Sequence, residues 1–312
     1  MQRCGGIAVQ RLRRLAVALT ASTAAVTAAL PAAGAQAAGE PPPPTVGAKG
    51  AYLADGDQPL FGKAADVRRP MASTTKVMTA VVVVDEHATD LDREVTVKQV
   101  YRDWVRDQQA STADLRTGDR LTVRQLLYAL MLPSGCDAAY ALADTFGSGA
   151  TEKERTESFV ADMNKKAQEL GLADTHYDSF DGNSGPAGKN WTSPHDLAVL
   201  AAHALSSDTF ATVVRAMSTR QRAQNVNRLY TWYNTNKLLG SYDGVIGIKT
   251  GSTRAAGPCL VFAARRGEHT VIGAILAAQG DRYRDAAKML DYAFHTTTRM
   301  TLRHLPAGAH ED

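Results

Sequence analysis

Apolar positions along the chain follow local rhythms that predict its elements. Ala51-Tyr52-Leu53-Ala54 and Pro59-Leu60-Phe61 flank a polar turn at Asp55-Gly56-Asp57 and read as two short strands. Ser73 to about His87 reads as a helix despite four consecutive valines, apolar enough to be buried on all sides. Leu115 to Val123 reads as short strands around a Thr117-Gly118-Asp119 turn, and Thr122 caps a helix running to Leu132. Thr151-Glu152-Lys153-Glu154 is a capping box for a helix that stops near Leu170-Gly171. Ser193-Pro194 opens another helix. Gly244–Lys249, Cys259–Ala264 and Thr270–Ala277 read as strands, the last two joined by a hairpin at Arg265-Arg266-Gly267-Glu268. Asp281 to about Phe294 closes the series as an amphipathic helix. Strands sit at both ends and helices fill the middle, which suits an α/β lobe built from both chain ends with an all-helical lobe inserted.

The N-terminus departs from this pattern. Arg11, Arg13 and Arg14 precede an apolar run of sixteen residues from Leu15 to Leu30, followed by small-x-small cleavage patterns ending at Ala35 or Ala37. This is a secretory arrangement; the run is shorter than the roughly 20 residues a membrane span needs and is broken by threonines. Arg13-Arg14 leaves a twin-arginine route open. Pro41-Pro42-Pro43-Pro44 follows as a stiff spacer. The formal charge of +3 over 312 residues belongs to this segment, because residues 1–38 hold four arginines and no Lys, Asp or Glu. The remainder is near neutral, which argues against a nucleic-acid partner. With 44% hydrophobic and 21% charged residues, the chain has a globular composition. Cys4 leaves with a cleaved signal. Cys136 and Cys259 remain, and export makes a bridge between them conceivable.

Common catalytic signatures are absent from the sequence: there is no His-Glu-x-x-His, no metal-type Cys/His cluster, no Gly-x-Ser-x-Gly and no well-formed phosphate loop. Ser73-Thr74-Thr75-Lys76 places a serine and a lysine on one helical face, with the serine at a helix N-terminus whose unpaired N–H groups can hold an oxyanion. One Ser-x-x-Lys is expected by chance in about every chain of this length. Two further triplets change that balance. Ser134-Gly135-Cys136 lies 61 residues after Ser73, between helices, and Lys249-Thr250-Gly251 lies 115 residues later at the end of a strand. Each triplet is expected by chance on the order of 0.1 times. Asp178 and Asp181 read as turn residues, and the histidines, including His176 and His195, as structural or surface groups.

The three motifs in this order resemble the serine-type D-Ala-D-Ala carboxypeptidases and transpeptidases, the low-molecular-mass penicillin-binding proteins. The resemblance covers roughly residues 46–296. It extends through Arg69 to Ala80, Val123 to Tyr128, Met131 to Ala139 and Asn234-Thr235-Asn236-Lys237-Leu238-Leu239. Cys136 stands where most of the family carries asparagine, and in this it resembles an exported DD-transpeptidase branch.

The resemblance implies an α/β fold like that of β-lactamases and penicillin-binding proteins, an antiparallel sheet with flanking helices plus an inserted helical lobe. It divides the chain into a signal (1–37), a Pro-rich linker (38–46), a catalytic domain (47–296) and a tail (297–312). The α/β lobe takes 47–90 and 240–296, and the mainly helical lobe 91–239. It implies an acyl-enzyme on Ser73, with Lys76 as its base and Ser134 as relay to the leaving amine. A lysine at its reference pKa is neutral about once in 2,500 molecules at pH 7, so the neutral amine must be favoured by its surroundings. The N–H groups of Ser73 and Ser252 would hold the oxyanion. Lys249 and Thr250 would hold the substrate's terminal carboxylate, Gly251 would let the substrate backbone approach, and Cys136 would face the substrate amide as a free thiol. The implied partners are peptidoglycan stem peptides ending in D-Ala-D-Ala, with β-lactams as covalent inhibitors. No cofactor, metal or nucleic acid is implied. The expected protein is an exported monomer acting on the wall side of the membrane, with at most a loose peripheral attachment, since the tail is polar and proline-broken. Two other readings are a β-lactamase, for which Glu169 is followed by Leu-Gly-Leu-Ala and not by the deacylating motif, and a wall- or β-lactam-binding domain without turnover.

Overall fold

Strand-forming segments from opposite ends of the chain meet in one sheet. The computed structural model describes residues 42–183 and 188–309. In chain order the elements are β1 (Gly50–Asp55), β2 (Gln58–Lys63), β3 (Arg69–Pro70), α1 (Lys76–Glu86), β4 (Glu94–Thr96), α2 (Gln99–Gln108) and β5 (Arg120–Thr122). Then follow α3 (Val123–Met131), α4 (Cys136–Phe146), α5 (Glu152–Glu169), β6 (Trp191–Thr192), α6 (Pro194–Leu205) and α7 (Asp208–Arg215). The chain continues through β7 (Ser218–Arg222), β8 (Leu229–Tyr233), β9 (Val245–Thr253), β10 (Gly257–Arg266), β11 (His269–Leu276) and α8 (Arg282–Ala293). The order β2-β1-β11-β10-β9 is antiparallel throughout, and β1 joins the C-terminal strands by pairing Leu53 with Gly273. The remaining strands form two-stranded pairs: β3 with β6, β4 with β5 and β7 with β8.

Around β10 the sheet is buried on both faces, which is why that strand reads as a continuous apolar run and not as an alternation. Along it, Leu260, Phe262 and Ala264 enter a core shared with Leu53, Tyr283 and Leu290, the last two on α8. Val261 and Ala263 enter the larger core on the other side with α1, α3, α4 and α6. Helix α1 runs through this larger core: Lys76 to Val84 are all buried, against α3, α4, α5, α6 and α7. The valine run is therefore helical because tertiary burial on every side overrides its strand propensity.

Local signals predicted several elements well. Thr122 Oγ1 accepts from Gln125 N at 3.2 Å and Gln125 Oε1 accepts from Thr122 N at 2.9 Å, a full capping box at the head of α3. Thr151 and Glu154 do the same for α5. Thr122→Ala should cost about 1 kcal/mol. Thermal unfolding should show this as a midpoint lower by roughly 2–4 °C.

The expected strand from Leu115 is not formed. β5 pairs with β4, Leu121 opposite Val95, while residues 112–115 are held by a carboxylate. Asp137 at the head of α4 accepts from Ala113 N at 2.9 Å, Leu115 N at 3.0 Å and Thr112 Oγ1 at 2.8 Å. One side chain thus supplies the acceptors that a neighbouring strand would have provided. The Lys249-Thr250-Gly251 triplet lies inside β9 and not at its end.

Candidate active site

The nucleophile candidate is placed by a sharp entry into the central helix. Ala72 has φ of +50°, after which Ala72–Thr75 form a single 3-10 turn that continues as α1. Ser73 is half-buried on this turn, and Lys76, one turn on, is fully buried. Lys76 Nζ donates to Ser73 Oγ at 2.9 Å and to Asp181 O at 2.7 Å. The amine is thus aimed at the serine by a fixed backbone acceptor.

Ser134 lies in the link between α3 and α4, also with left-handed backbone at φ +63°. Such a conformation in a non-glycine residue costs about 1–3 kcal/mol and concentrates at functional sites. Its Oγ is buried without a hydrogen-bond partner, while its carbonyl accepts from Ser111 Oγ at 2.6 Å. Cys136 begins α4, with its Sγ 3.6 Å from Ser111 Oγ and 3.5 Å from Asn183 Nδ2.

Burial pushes the Cys136 thiol up to about 12, against the opposing pull of Lys76 nearby. Cys259 is pushed up to about 11, also chiefly by burial. Both thiols are free. Neither is a thiolate at neutral pH, so neither is an activated nucleophile. In the native protein both should resist iodoacetamide at pH 7.5 and become labelled on unfolding. Because the folded state holds these protons more tightly, their contribution to stability is complete below the usual thiol pKa. It is lost as pH rises from about 9, at about 1.4 kcal/mol per pH unit for each thiol. Urea unfolding between pH 7 and 10 would show this, and flattening the alkaline slope by Cys136→Ser would attribute it.

The third motif comes from β9. Lys249 is buried and its Nζ donates to Thr250 O at 2.9 Å. Thr250 Oγ1 lies 2.7 Å from Thr235 Oγ1, and Thr235 N donates to Leu132 O at 3.1 Å, so Thr235 ties the third motif to the stretch leading into the second. Gly251 faces the nucleophile turn: a Cβ there would stand 2.9 Å from Ser73 N and 3.0 Å from Thr74 N. Ser252 is exposed, and its Oγ accepts from Arg282 Nη1 at 3.3 Å. The same guanidinium nitrogen donates to Gly251 O at 2.9 Å and Cys259 O at 3.1 Å, fixing the strand from behind.

Several residues that shape the site gave no sequence signal of it. Asp181, expected as a turn residue, is fully buried. Its backbone oxygen holds Lys76, while its carboxylate accepts from Trp104 Nε1 at 2.8 Å and from Asn183 N at 2.9 Å. Gly182 has φ of +92°, and a Cβ there would stand 2.2 Å from Ala72 O and 3.0 Å from Ser73 N. Two glycines, Gly182 and Gly251, therefore flank the Ser73 amide. Helix α1 and the turn before it anchor this segment: Thr79 Oγ1 donates to Phe180 O at 2.5 Å, and Thr75 Oγ1 accepts from Asn190 Nδ2 at 2.6 Å. The signal that could have been used is Asp181-Gly182-Asn183, but its partners lie about a hundred residues earlier in the chain. Glu169 pairs with Lys166 at 3.1 Å at the end of α5 and His195 with Asp66 at 3.1 Å in exposed positions.

Comparison with known proteins places this arrangement. The family described as D-alanyl-D-alanine carboxypeptidase, peptidase S11, matches residues 12–280. A D-alanyl-D-alanine carboxypeptidase of Streptomyces sp. strain K15 is 46% identical over 295 residues, covering 91% of this chain and 99% of the relative. The carboxypeptidase DacB2 of Mycobacterium tuberculosis is 36% identical over 268 residues, covering 83% of this chain and 86% of the relative. The crystal structure of the Streptomyces K15 DD-transpeptidase superposes with a TM-score of 0.78 at 48% identity, covering 81% of this chain and 99% of that one.

Proposed function

The chain belongs to the D-alanyl-D-alanine carboxypeptidase family, and from that premise we propose that Ser73 is its nucleophile, Lys76 the base and Ser134 the proton relay. The protein is a serine-type DD-peptidase with the fold of the penicillin-binding proteins. Its substrates are peptidoglycan stem peptides ending in D-Ala-D-Ala, and β-lactams bind the same site. The observation that carries the mechanistic reading is the 2.9 Å contact between Lys76 Nζ and Ser73 Oγ.

With its amine neutral, Lys76 takes the Ser73 proton as Oγ attacks the carbonyl carbon of the penultimate D-Ala. The negative charge gathers on the carbonyl oxygen, held by the N–H groups of Ser73 and Ser252. The C–N bond then breaks, and the proton reaches the departing amine of the terminal D-Ala through Ser134 Oγ. A buried hydroxyl with no partner of its own is suited to this, because it can accept from Lys76 and donate to substrate without breaking an existing bond. Lys249 and Thr250 hold the terminal carboxylate, and Cys136 faces the substrate amide as a neutral thiol. Water accepts the acyl group in the carboxypeptidase reaction, and an amine accepts it in transpeptidation.

We further propose that residues 1–37 are a cleaved export signal and that the enzyme works as a monomer outside the cytoplasmic membrane. The N-terminal residues lie outside those described. Among the described residues no single helix is long and apolar enough to cross a membrane.

Release of D-alanine from an N-acylated peptide ending in D-Ala-D-Ala tests the reading. Wild type should release it, and Ser134→Ala should be slower by about 10²-fold or more. Unchanged turnover in Ser134→Ala would remove the relay.

A further inference from the structure

The segment after α8, expected to be a polar, proline-broken tail, reaches back to the link between β8 and β9. Arg303 Nη2 donates to Asn234 O at 2.5 Å and to Asn236 O at 3.2 Å, one carbonyl on each side of Thr235. Its backbone N donates to Ser241 Oγ at 2.9 Å. Thr235 between these carbonyls is buried, its own carbonyl accepts from Tyr283 Oη at 3.2 Å, and its hydroxyl meets that of Thr250 at 2.7 Å. Farther along, Gly308 and Ala309 line a cavity of about 240 Å³ with Thr112, Pro133 and Trp232, beside the Ser134 motif. The tail thus runs beside the second motif and meets the link whose Thr235 touches the third.

We propose that Arg303 is a positioning residue that fixes the Thr250 hydroxyl for the substrate's terminal carboxylate, acting through Thr235. The proposal rests on the reading of Lys249 and Thr250 as the carboxylate-holding pair. Both bonds leave one guanidinium nitrogen, whose two N–H groups are fixed in the guanidinium plane and so set both bond directions, whereas the ammonium of a lysine rotates freely on a flexible stem. Arg303 holds the 234–235 plane through Asn234 O and Tyr283 Oη holds the 235–236 plane through Thr235 O, so the backbone that carries the Thr235 hydroxyl toward Thr250 is fixed on both sides. Without the Arg303 bonds the Thr235 hydroxyl is no longer held toward Thr250, and misplacement of a positioning group is costly to rate.

The test compares acylation rates with benzylpenicillin, which has a free carboxylate, and with its methyl ester, which lacks the charge. The proteins are wild type, Thr250→Val, Arg303→Ala and Arg303→Lys, each checked for its melting temperature. Thr250→Val and Arg303→Ala should each shrink the preference for acid over ester by about tenfold. Arg303→Lys should fall between wild type and Arg303→Ala. A wild-type preference in Arg303→Ala, with that of Thr250→Val collapsed, overturns the role of the tail while leaving the carboxylate reading intact. A wild-type preference in Thr250→Val overturns the carboxylate reading and the proposal with it. Equal loss for acid and ester in Arg303→Ala marks a general structural role and also overturns it. Should Arg303→Ala fail to fold, a reduced preference in Arg303→Lys supports the proposal and an unchanged one overturns it.

Discussion

Replacing Lys76 by alanine should slow acylation of Ser73 by about 10³–10⁴-fold, at the upper end of what a positioned base contributes. Lys76 is the one basic side chain bonded to Ser73 Oγ among the described contacts, and its amine has a second bond to Asp181 O. Among the described residues no histidine is hydrogen-bonded to Ser73 or Lys76. The loss should appear in the bond-making step and not in reversible binding, because Lys249 and Thr250 remain. Stopped-flow acylation by benzylpenicillin separates the two: the rate of covalent capture should collapse while the concentration for half-saturation stays within a few-fold. A variant that keeps more than a tenth of the wild-type rate would transfer the base role elsewhere. Lys76→Arg should not rescue it, since a guanidinium is protonated at every accessible pH and cannot accept the serine proton.

Gly182→Ala should damage the site from the other side. The added methyl would stand 2.2 Å from Ala72 O, well inside contact distance, at a φ of +92° that an alanine rarely adopts. Ala72 is itself at φ +50° and heads the turn that carries Ser73, so the turn must shift to relieve the clash. The expected result is a loss of about 10²-fold or more in acylation. A stability loss of about 1–3 kcal/mol should accompany it. Gly171→Ala is a useful comparison, because it also has positive φ but a Cβ there would meet nothing within 4 Å. It should lose stability and keep activity. Equal activity in Gly182→Ala and Gly171→Ala would mean that the close approach to Ala72 does not set the serine.

What could be read from the sequence is what local chemistry determines. The cap at Thr122, the capping box at Thr151, the Ser193-Pro194 start and the hairpin at Arg266-Gly267 each depend on residues within a turn of one another. The Ser73, Ser134 and Lys249 motifs were legible as a set because three short patterns in order are far rarer than any one. Other elements hid for physical reasons. Helix α2 fully buries only Tyr101, with Val100 and Trp104 partly packed on the core, so few apolar positions mark it in a polar stretch. Strand β7 is Ser-Thr-Arg-Gln-Arg with no buried residue, a polar edge that pairs only with β8. Leu115 looked like a strand residue because its acceptor, the Asp137 carboxylate, lies 22 residues on. Asp181 read only as a turn residue, and Gly182 beside it gave no signal of a role at the site. Their importance comes from packing against Lys76 and Ala72, a long-range contact with no local signature.

The central claim is that Ser73 carries the acyl group, and the most direct measurement is peptide mapping of the protein after brief exposure to benzylpenicillin. The account predicts one penicilloyl group per chain, located by fragmentation on Ser73, with Ser134, Cys136 and Cys259 unmodified. A penicilloyl group on any other residue, or an intact-mass spectrum without an adduct from active protein, would contradict it.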